Sequence, residues 1–523
     1  MKKILALLLA VVMVLGLVAC GATPAETPST STSTEAAESG NPETWLCDEP
    51  TKLYIYNWDG APMETARDQE IHDLVLEITN VDMVIPQLSD YHPNRAMFLA
   101  SDEPIDLMME SCWWATDLIG QGAYRDVTDL VMQYGTNFTE KYTDLQQAFV
   151  KWDGKYYGMG GPDKVTLYGI WVNKTLLEEN GLEIPTTVEE FNEVAYALKE
   201  ASPDTIPLLA SWMWLQRCIE GSYAEGYWEW YNDEEGTLMP DFMMPGYTDF
   251  ATQIKNWYKD GILPQFVNPA SFTNDFYNEA IVKGQCAFIC GNIQQVPGLL
   301  ADMRTADPTN TDEYVYIEPF SNGDKLGGVE PRPLVPYFYA VPAKSQNPEL
   351  AIKFLNWMLS EEGYTLLNYG VEGEDFILEE DGRNTAISDY SRCFYQSPLG
   401  RVAQTTDSYV DMSEGSASWM VATYGDGGKL ALQDTYGVNM DLSGIPQNLK
   451  DQNTADKTAV SEVLANYMWG DATIEEWEAA KANYVEKNAE YLAKWTEVYN
   501  SSMEKLGFTV ENIREGLIAL DAE

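Results

Sequence analysis

Hydrophobic and polar positions past residue 50 fall into alternating strand-like and helix-like patterns. Leu53-Tyr54-Ile55-Tyr56-Asn57-Trp58 is rich in aromatic and branched residues and is stopped by Asp59-Gly60, which predicts a buried strand. Ile71, Leu74, Val75 and Ile78 recur at spacings of three and four, the period of a helix face. Residues 81–88 predict a second strand, 94–100 a helix, and the apolar run 105–109, ending at Glu110, a third strand. A β-α-β-α-β order implies a parallel sheet with helices on its faces, and such sheets bind ligands beyond the carboxyl ends of their strands.

A similar alternation restarts at Thr166-Leu167-Tyr168-Gly169-Ile170-Trp171-Val172-Asn173-Lys174. Thr187 and Glu190 have capping-box spacing ahead of a helix whose buried stripe is Val188, Phe191, Ala195 and Leu198. Asn347-Pro348 offers an N-cap and a first-turn proline to a helix carrying Ala351, Ile352, Leu355, Met358 and Leu359. Thr473-Ile474-Glu475-Glu476 opens a long helix towards Lys505, with Gly507 as its stop. Trp228 and Trp230, two apart and ahead of Asn232-Asp233-Glu234-Glu235-Gly236, are expected on one face of a hairpin and packed in a core. No short-period repeat marks a solenoid.

The start of the chain is different in kind. Met1-Lys2-Lys3 precedes 15 apolar residues from Ile4 to Val18, too short for a spanning helix of ~20 residues and laid out like a secretory signal. Leu17-Val18-Ala19-Cys20 resembles a bacterial lipoprotein signal, in which the cysteine sulfur receives a diacylglyceryl group before cleavage. Two acyl chains, at ~0.8 kcal/mol per buried methylene, make a stable anchor. Residues 21–44 are a Ser/Thr/Pro/Ala/Glu run without apolar periodicity, expected to be a flexible stalk with an r.m.s. span of roughly 25 to 30 Å.

Charge narrows the partners. Losing residues 1–19, with Lys2 and Lys3, leaves 30 basic against 82 acidic residues, a formal charge of -52. That field repels nucleic acid and anionic membrane surfaces and favours neutral or cationic partners, although an excess of acid also serves solubility alone. Two histidines, His72 and His92, leave little material for zinc sites or Ser-His-Asp arrangements, and both are expected as surface or capping residues. Besides Cys20, six cysteines show no metal or disulfide spacing; Cys286 and Cys290, on one strand and roughly 13 Å apart, cannot bridge each other. No catalytic motif and no Walker-type phosphate loop occurs, so neither catalysis nor a cofactor is expected.

Four ordered segments resemble the family 1 extracellular solute-binding proteins of ABC importers, the group of maltose-binding protein. They are Ile105 to Met109 with Gly120-Gln121-Gly122-Ala123-Tyr124-Arg125-Asp126-Val127; Asp153-Gly154-Lys155 with Leu167 to Leu177 and Gly181-Leu182-Glu183-Ile184-Pro185-Thr186-Thr187; Ala280 to Asn292; and Asn347 to Gly370 with Tyr369-Gly370-Val371-Glu372-Gly373, similar to a long LipO-like subgroup. The resemblance implies an α/β, two-lobed, periplasmic-binding-protein-like (type II) fold with a ligand cleft between the lobes. The implied division is 1–19 signal peptide, 20–47 lipidated cysteine and stalk, 48–160 plus about 320–365 first lobe, and 161–320 plus about 366–523 second lobe. Long relatives carry an EF-hand-like calcium loop after the helix matching 188–200; here Ala201-Ser202-Pro203-Asp204-Thr205-Ile206-Pro207 has one carboxylate and no glycine, so no metal is expected there. Residues 381–450 do not align with the family.

Flat rings stack on apolar sugar faces while carboxylates and amides bond hydroxyls, and 16 tryptophans and 31 tyrosines supply the material. Position past strand ends selects Trp58, Asp59, Trp113, Trp114, Trp212, Trp214 and Asn292 as candidate ligand contacts, with Trp419 added from loop composition. The implied function is a lipid-anchored, monomeric binding protein at the outer face of the cell membrane. It captures a neutral oligosaccharide and delivers it to ABC permease subunits. A peptide or other polar solute is the alternative in the same fold, and a surface glycan hydrolase or an adhesin would be a different class.

Overall fold

The computed structural model describes residues 44–57, 65–88, 90–112, 114–161, 168–224, 230–233, 235–269, 272–293, 295–325, 327–331, 333–378, 384–389, 430 and 434–522. In chain order, the elements that matter here begin with β1 (Thr51–Tyr56), α1 (Ala66–Thr79), β2 (Val81–Val84), α2 (Tyr91–Ala100), β3 (Leu107–Ser111), α3 (Ala115–Gly120) and β4 (Gly158–Met159). Next come β5 (Tyr168–Asn173), α4 (Val188–Ala201), β6 (Ile206–Leu209), α5 (Trp212–Ile219), the hairpin β7 (Trp230–Asn232) and β8 (Leu238–Pro240), β9 (Cys286–Asn292) and β10 (Tyr314–Ile317). The chain then returns through β11 (Tyr337–Ala340) to α6 (Pro348–Met358) and ends in α7 (Gln447–Trp469), α8 (Ile474–Leu506) and a last helix, Val510–Ala522.

Two sheets organise these elements. One has the order β2-β1-β3-β11-β4, with β1 parallel to β2 and β3, and with β11 running antiparallel between β3 and β4. The predicted parallel β-α-β-α-β unit is therefore present. Its second strand stops at Val84, two residues before Pro86, which has no N–H to give a ladder. The other sheet has the order β10-β5-β9-β6 and is mixed. β6 and β9 run parallel, while β5 and β10 each run against their neighbours. Strand β11, which starts at Tyr337, long after β5 ends at Asn173, sits in the first sheet, so the chain passes between the two sheets more than once.

Local signals explain the helix ends. Thr187 accepts from the Glu190 amide while the Glu190 carboxylate accepts from the Thr187 amide, and Thr473 and Glu476 repeat this reciprocal cap. Gly507 closes α8 in the left-handed conformation (φ 73°) that glycine adopts without a Cβ penalty. Asn347 departs from expectation. Its side chain makes no capping bond and instead places Nδ2 3.5 Å from Asp106 Oδ1, leaving Pro348 to start α6. His72 also departs from its expected surface role, being buried with Nε2 3.1 Å from the Met83 carbonyl.

The C-terminal helices are bound into the body rather than appended to it. α7 and α8 lie side by side, with Tyr484 Oη donating to Asn453 Oδ1 (2.6 Å) and Asn488 Nδ2 to Asp456 Oδ2 (3.0 Å). α8 also meets the β7–β8 hairpin, where the Leu238 amide donates to Thr496 Oγ1 (2.9 Å), and its Lys505 is paired with Asp153 in the turn after Trp152. Arg67 on α1 makes a bidentate pair with the fully buried carboxylate of Asp375 (both 2.7 Å), which also accepts from the Val371 amide. Among the described residues no helix is long and apolar enough to cross a membrane.

Candidate functional site

The carboxyl end of β3 places Glu110 inside the protein and Trp114, four residues on, at the start of α3. Tyr91 fixes α2 above this edge by donating its hydroxyl to the Met109 carbonyl (2.7 Å). Arg95, one turn further along α2, then reaches Glu110 with Nη1, while Tyr124 donates to the other carboxylate oxygen. Burial pushes the Glu110 carboxyl above its ordinary range, and Arg95 and Tyr124 only partly offset that. The anchored guanidinium lies 5.5 Å from the Trp114 ring centroid, and the His92 ring meets Trp114 edge-on at 4.5 Å. Burial first, and then the Arg95 charge, lower the His92 pKa, so the imidazole is neutral near pH 7. Trp114 remains 39% exposed, an indole face held in place and open to a ligand.

The second sheet builds a comparable group. Ser211 caps α5 by accepting from the Trp214 amide (3.2 Å), and Trp214 and Arg217 follow at helical spacing. Arg217 stacks 4.5 Å from the ring centroid of Tyr168 at the start of β5 and 5.6 Å from that of Trp214. Its Nε pairs with Glu330 at 3.0 Å, and the Glu330 amide donates to the Arg217 carbonyl (3.0 Å). Close approach of this crossing segment depends on glycine, since a Cβ on Gly221 would stand 2.4 Å from the Gly328 carbonyl oxygen.

Next to these groups lies a cavity of about 270 Å³, which their arginines and aromatic rings do not themselves line. Cys112, between Glu110 and Trp114, lines it from the first sheet, and Glu330 lines it from the crossing segment. Thr116, Phe149 and residues 435–440 with Leu442 complete much of the wall. Tyr436 in that wall has its phenol raised by burial, with the Cys112 and Glu330 charges adding to the effect. The recess is lined by aromatic, hydroxyl and amide side chains, and the arginine of each flanking group is matched by a carboxylate. Among the described residues no three His, Cys, Asp or Glu side chains gather to hold a metal.

Of the sequence-selected contacts, Cys20, Trp58, Asp59, Trp113 and Trp419 lie outside the described residues. Trp114 and Trp214 fall in the two groups just described. Asn292 ends β9 directly opposite Tyr168, at the same sheet edge as Arg217's ring partner. Trp212 is placed elsewhere: it stacks on Phe250 (5.8 Å) and meets Trp469 edge-on (6.3 Å), so its ring serves helix packing. Its position explains this, because Trp212 and Trp214 are two apart and so face opposite flanks of α5. Trp230 is in the expected hairpin and stacks on Trp495, yet it also lines the cavity. Sequence reading missed Arg95, Glu110 and Arg217. Glu110 had a signal, a lone carboxylate ending an apolar strand, and Arg217 had the i, i+3 spacing from Trp214.

Comparison with known proteins adds the following. The family model described as bacterial extracellular solute-binding protein matches residues 77–365. Lipoprotein LipO of Bacillus subtilis (strain 168) is 26% identical over 275 residues, covering 48% of this chain and 53% of LipO. The polygalacturonan/rhamnogalacturonan-binding protein YtcQ of the same organism is 24% identical over 282 residues, covering 50% and 53%. The chain thus spans about half the length of these curated relatives. Among solved structures, the alginate-binding protein AlgQ2 without calcium ion superposes with a TM-score of 0.63 at 17% identity, over 87% of this chain and 99% of that one, a likeness of fold.

Proposed function

We propose, starting from the fact that the chain belongs to the bacterial extracellular solute-binding proteins, that it captures a neutral oligosaccharide in the cleft of its two-lobed α/β type II fold and delivers it to an ABC permease. The observation that carries this reading is a cavity walled by Phe149, Trp230, Tyr436 and Trp495 with Thr116, Thr435 and Asn439, flanked through Cys112 by the Trp114–Arg95 group and through Glu330 by the Arg217 group. Sugar rings need flat apolar faces and convergent hydrogen-bonding groups, and the site supplies both. Relatives whose names describe binding of polygalacturonan/rhamnogalacturonan and of alginate support a carbohydrate.

Charge argues for an uncharged one. Arg95 is neutralised by Glu110 and Arg217 by Glu330, so these pairs offer no net positive charge to a uronate, within a chain of formal charge -50. Trp114, Trp214 and Asn292 are the ligand contacts we retain, and Trp58, Asp59, Trp113 and Trp419 stand as further candidates. Cys20 is the lipid attachment point in this reading, holding a monomeric body at the outer face of the membrane. The protein carries out no chemistry on its ligand.

A thermal-shift screen against neutral oligosaccharides, uronate oligosaccharides and peptides tests the ligand class. A ligand at 100 times its dissociation constant adds ~2.7 kcal/mol of stability. The expected result is a selective upward shift with a neutral glycan; a response confined to uronates or to peptides refutes it. For the anchor, radiolabelled palmitate should enter the wild-type protein in a bacterial host and be absent from Cys20→Ala.

A further inference from the structure

Residues 435–440 all line the cavity, yet together with Asp434 they belong to no helix or strand, so regular backbone pairing does not set their place. One internal turn shapes them, with the Val438 amide donating to the Thr435 carbonyl (3.0 Å). Their ends are held by different parts of the molecule. At one end the buried Asp434 carboxylate accepts from the Asn232 amide of β7 (2.8 Å) and from Arg514 Nε of the last helix (2.7 Å). The Asp434 carbonyl accepts from Tyr499 Oη of α8 (2.7 Å), and Thr435 Oγ1 lies 3.4 Å from the Trp230 carbonyl. At the other end Asn439 Nδ2 faces three carbonyls ahead of β4, those of Ala148 (3.3 Å), Phe149 (2.9 Å) and Lys151 (3.2 Å). Tyr436, between the two ends, meets the Phe149 ring edge-on at 5.0 Å. The segment is therefore a strap. It runs from a hairpin inserted among the strands of the second sheet to a stretch that leads into β4 of the first.

We propose that Arg514 is a positioning residue for ligand binding: through Asp434 it fixes where the strap stands, and so ties the shape of the cavity to the C-terminal helix. The inference rests on the glycan reading of this cavity and deepens it. The Asp434 side chain is 2% exposed and that of Arg514 35%, so a buried carboxylate takes its counter-charge from a residue nearer the surface. Buried Ile513 and Leu517 seat the last helix, which presents Arg514 from a fixed frame rather than a loose end. Without Arg514 the carboxylate is left buried and short of a positive partner, which favours its turning towards water. That movement would draw Thr435 and Tyr436, next to it in the chain, away from their places in the wall. The ligand would then have to order the strap itself, and each side chain it immobilises takes a share of the binding energy. Arg514 does not line the cavity, so it acts on the ligand at second hand.

The test compares wild type with Arg514→Met, Arg514→Lys and Lys505→Met, each in the full chain. Lys505 joins α8 to the turn after Trp152 by pairing with Asp153 and not with the strap, so its variant controls for a general loosening of the C-terminal helices. Hydrogen exchange of the ligand-free proteins reads the strap directly: peptides covering 434–440 should exchange faster in Arg514→Met and keep the wild-type rate in Lys505→Met. Calorimetric titration well below the melting temperature reads binding, with linear trisaccharides of glucose (α- and β-linked), mannose, xylose and galactose as probes. For a sugar that wild type binds, the expected result is about tenfold weaker affinity in Arg514→Met. Arg514→Lys keeps the charge that pairs with Asp434 and should recover to within about threefold of wild type, while Lys505→Met should equal it. Unchanged exchange or unchanged affinity in Arg514→Met, or equal losses in Lys505→Met, overturns the positioning role while leaving glycan capture standing. A wild-type protein that binds none of the trisaccharides overturns the glycan reading itself, and the role of Arg514 in binding with it.

Discussion

Glu110 is the residue on which the first aromatic group turns, because it accepts from both Arg95 Nη1 and the Tyr124 hydroxyl. Its raised pKa separates stability from binding. A carboxyl whose folded value exceeds the unfolded one favours the folded state as it protonates, so acidification through this group does not unfold the protein on its account. Protonation nevertheless removes the charge that holds Arg95 against Trp114. Glycan affinity should therefore fall as pH drops through a value above the ordinary 4.5 of a glutamate, while the melting temperature shows no loss over that step. Glu110→Gln should bind about tenfold more weakly at pH 7, ~1.4 kcal/mol, and should lose the acid step. Calorimetry of both proteins from pH 7 to pH 4 checks this; parallel profiles would show that Glu110 plays no part in binding.

At the level of elements, what was legible in the sequence followed from patterns that act over a few residues. The period of β1, α1, β2, α2 and β3, the caps at Thr187 and Thr473, and the stop at Gly507 are all local agreements between side chain and backbone. The orientation of β5 and β10 was not legible, since strand direction in a sheet depends on where a long crossing returns. Part of the site was likewise hidden, because Arg217 with Glu330 and Trp230 with Trp495 join residues more than 100 positions apart. Arg67 and Asp375 are a further case of such pairing. Burial alone would raise the Asp375 carboxyl, but the Arg67 bonds, the Val371 amide and Ser388 outweigh it, and its pKa is lowered. A depressed carboxyl stabilises the fold above its unfolded pKa of ~3.9 and loses that contribution as pH falls through the folded value. Arg67→Ala leaves a fully buried carboxylate unpaired and should lose on the order of 3 kcal/mol at pH 7. In thermal melts, the gap from wild type should narrow below about pH 4, where Asp375 protonates in the variant and then in wild type.

At the scale of the whole molecule, a formal charge of -50 acts on anything that approaches the cleft. Its range depends on ionic strength, with a Debye length of ~30 Å at 0.01 M salt and ~3 Å at 1 M. A neutral glycan does no work against that field, and the arginines it meets are already balanced at close range by Glu110 and Glu330. Its dissociation constant should hold within about twofold from 0.01 M to 0.5 M sodium chloride. A uronate ligand would behave otherwise: long-range repulsion would weaken it at low salt, and screening would strengthen it as salt rises. Titrations at the two ends of that range therefore distinguish the classes even before a cognate sugar is optimised. Affinity that climbs severalfold with salt would mean that the acidic surface opposes the natural ligand, and that cations beyond Arg95 and Arg217 must hold it.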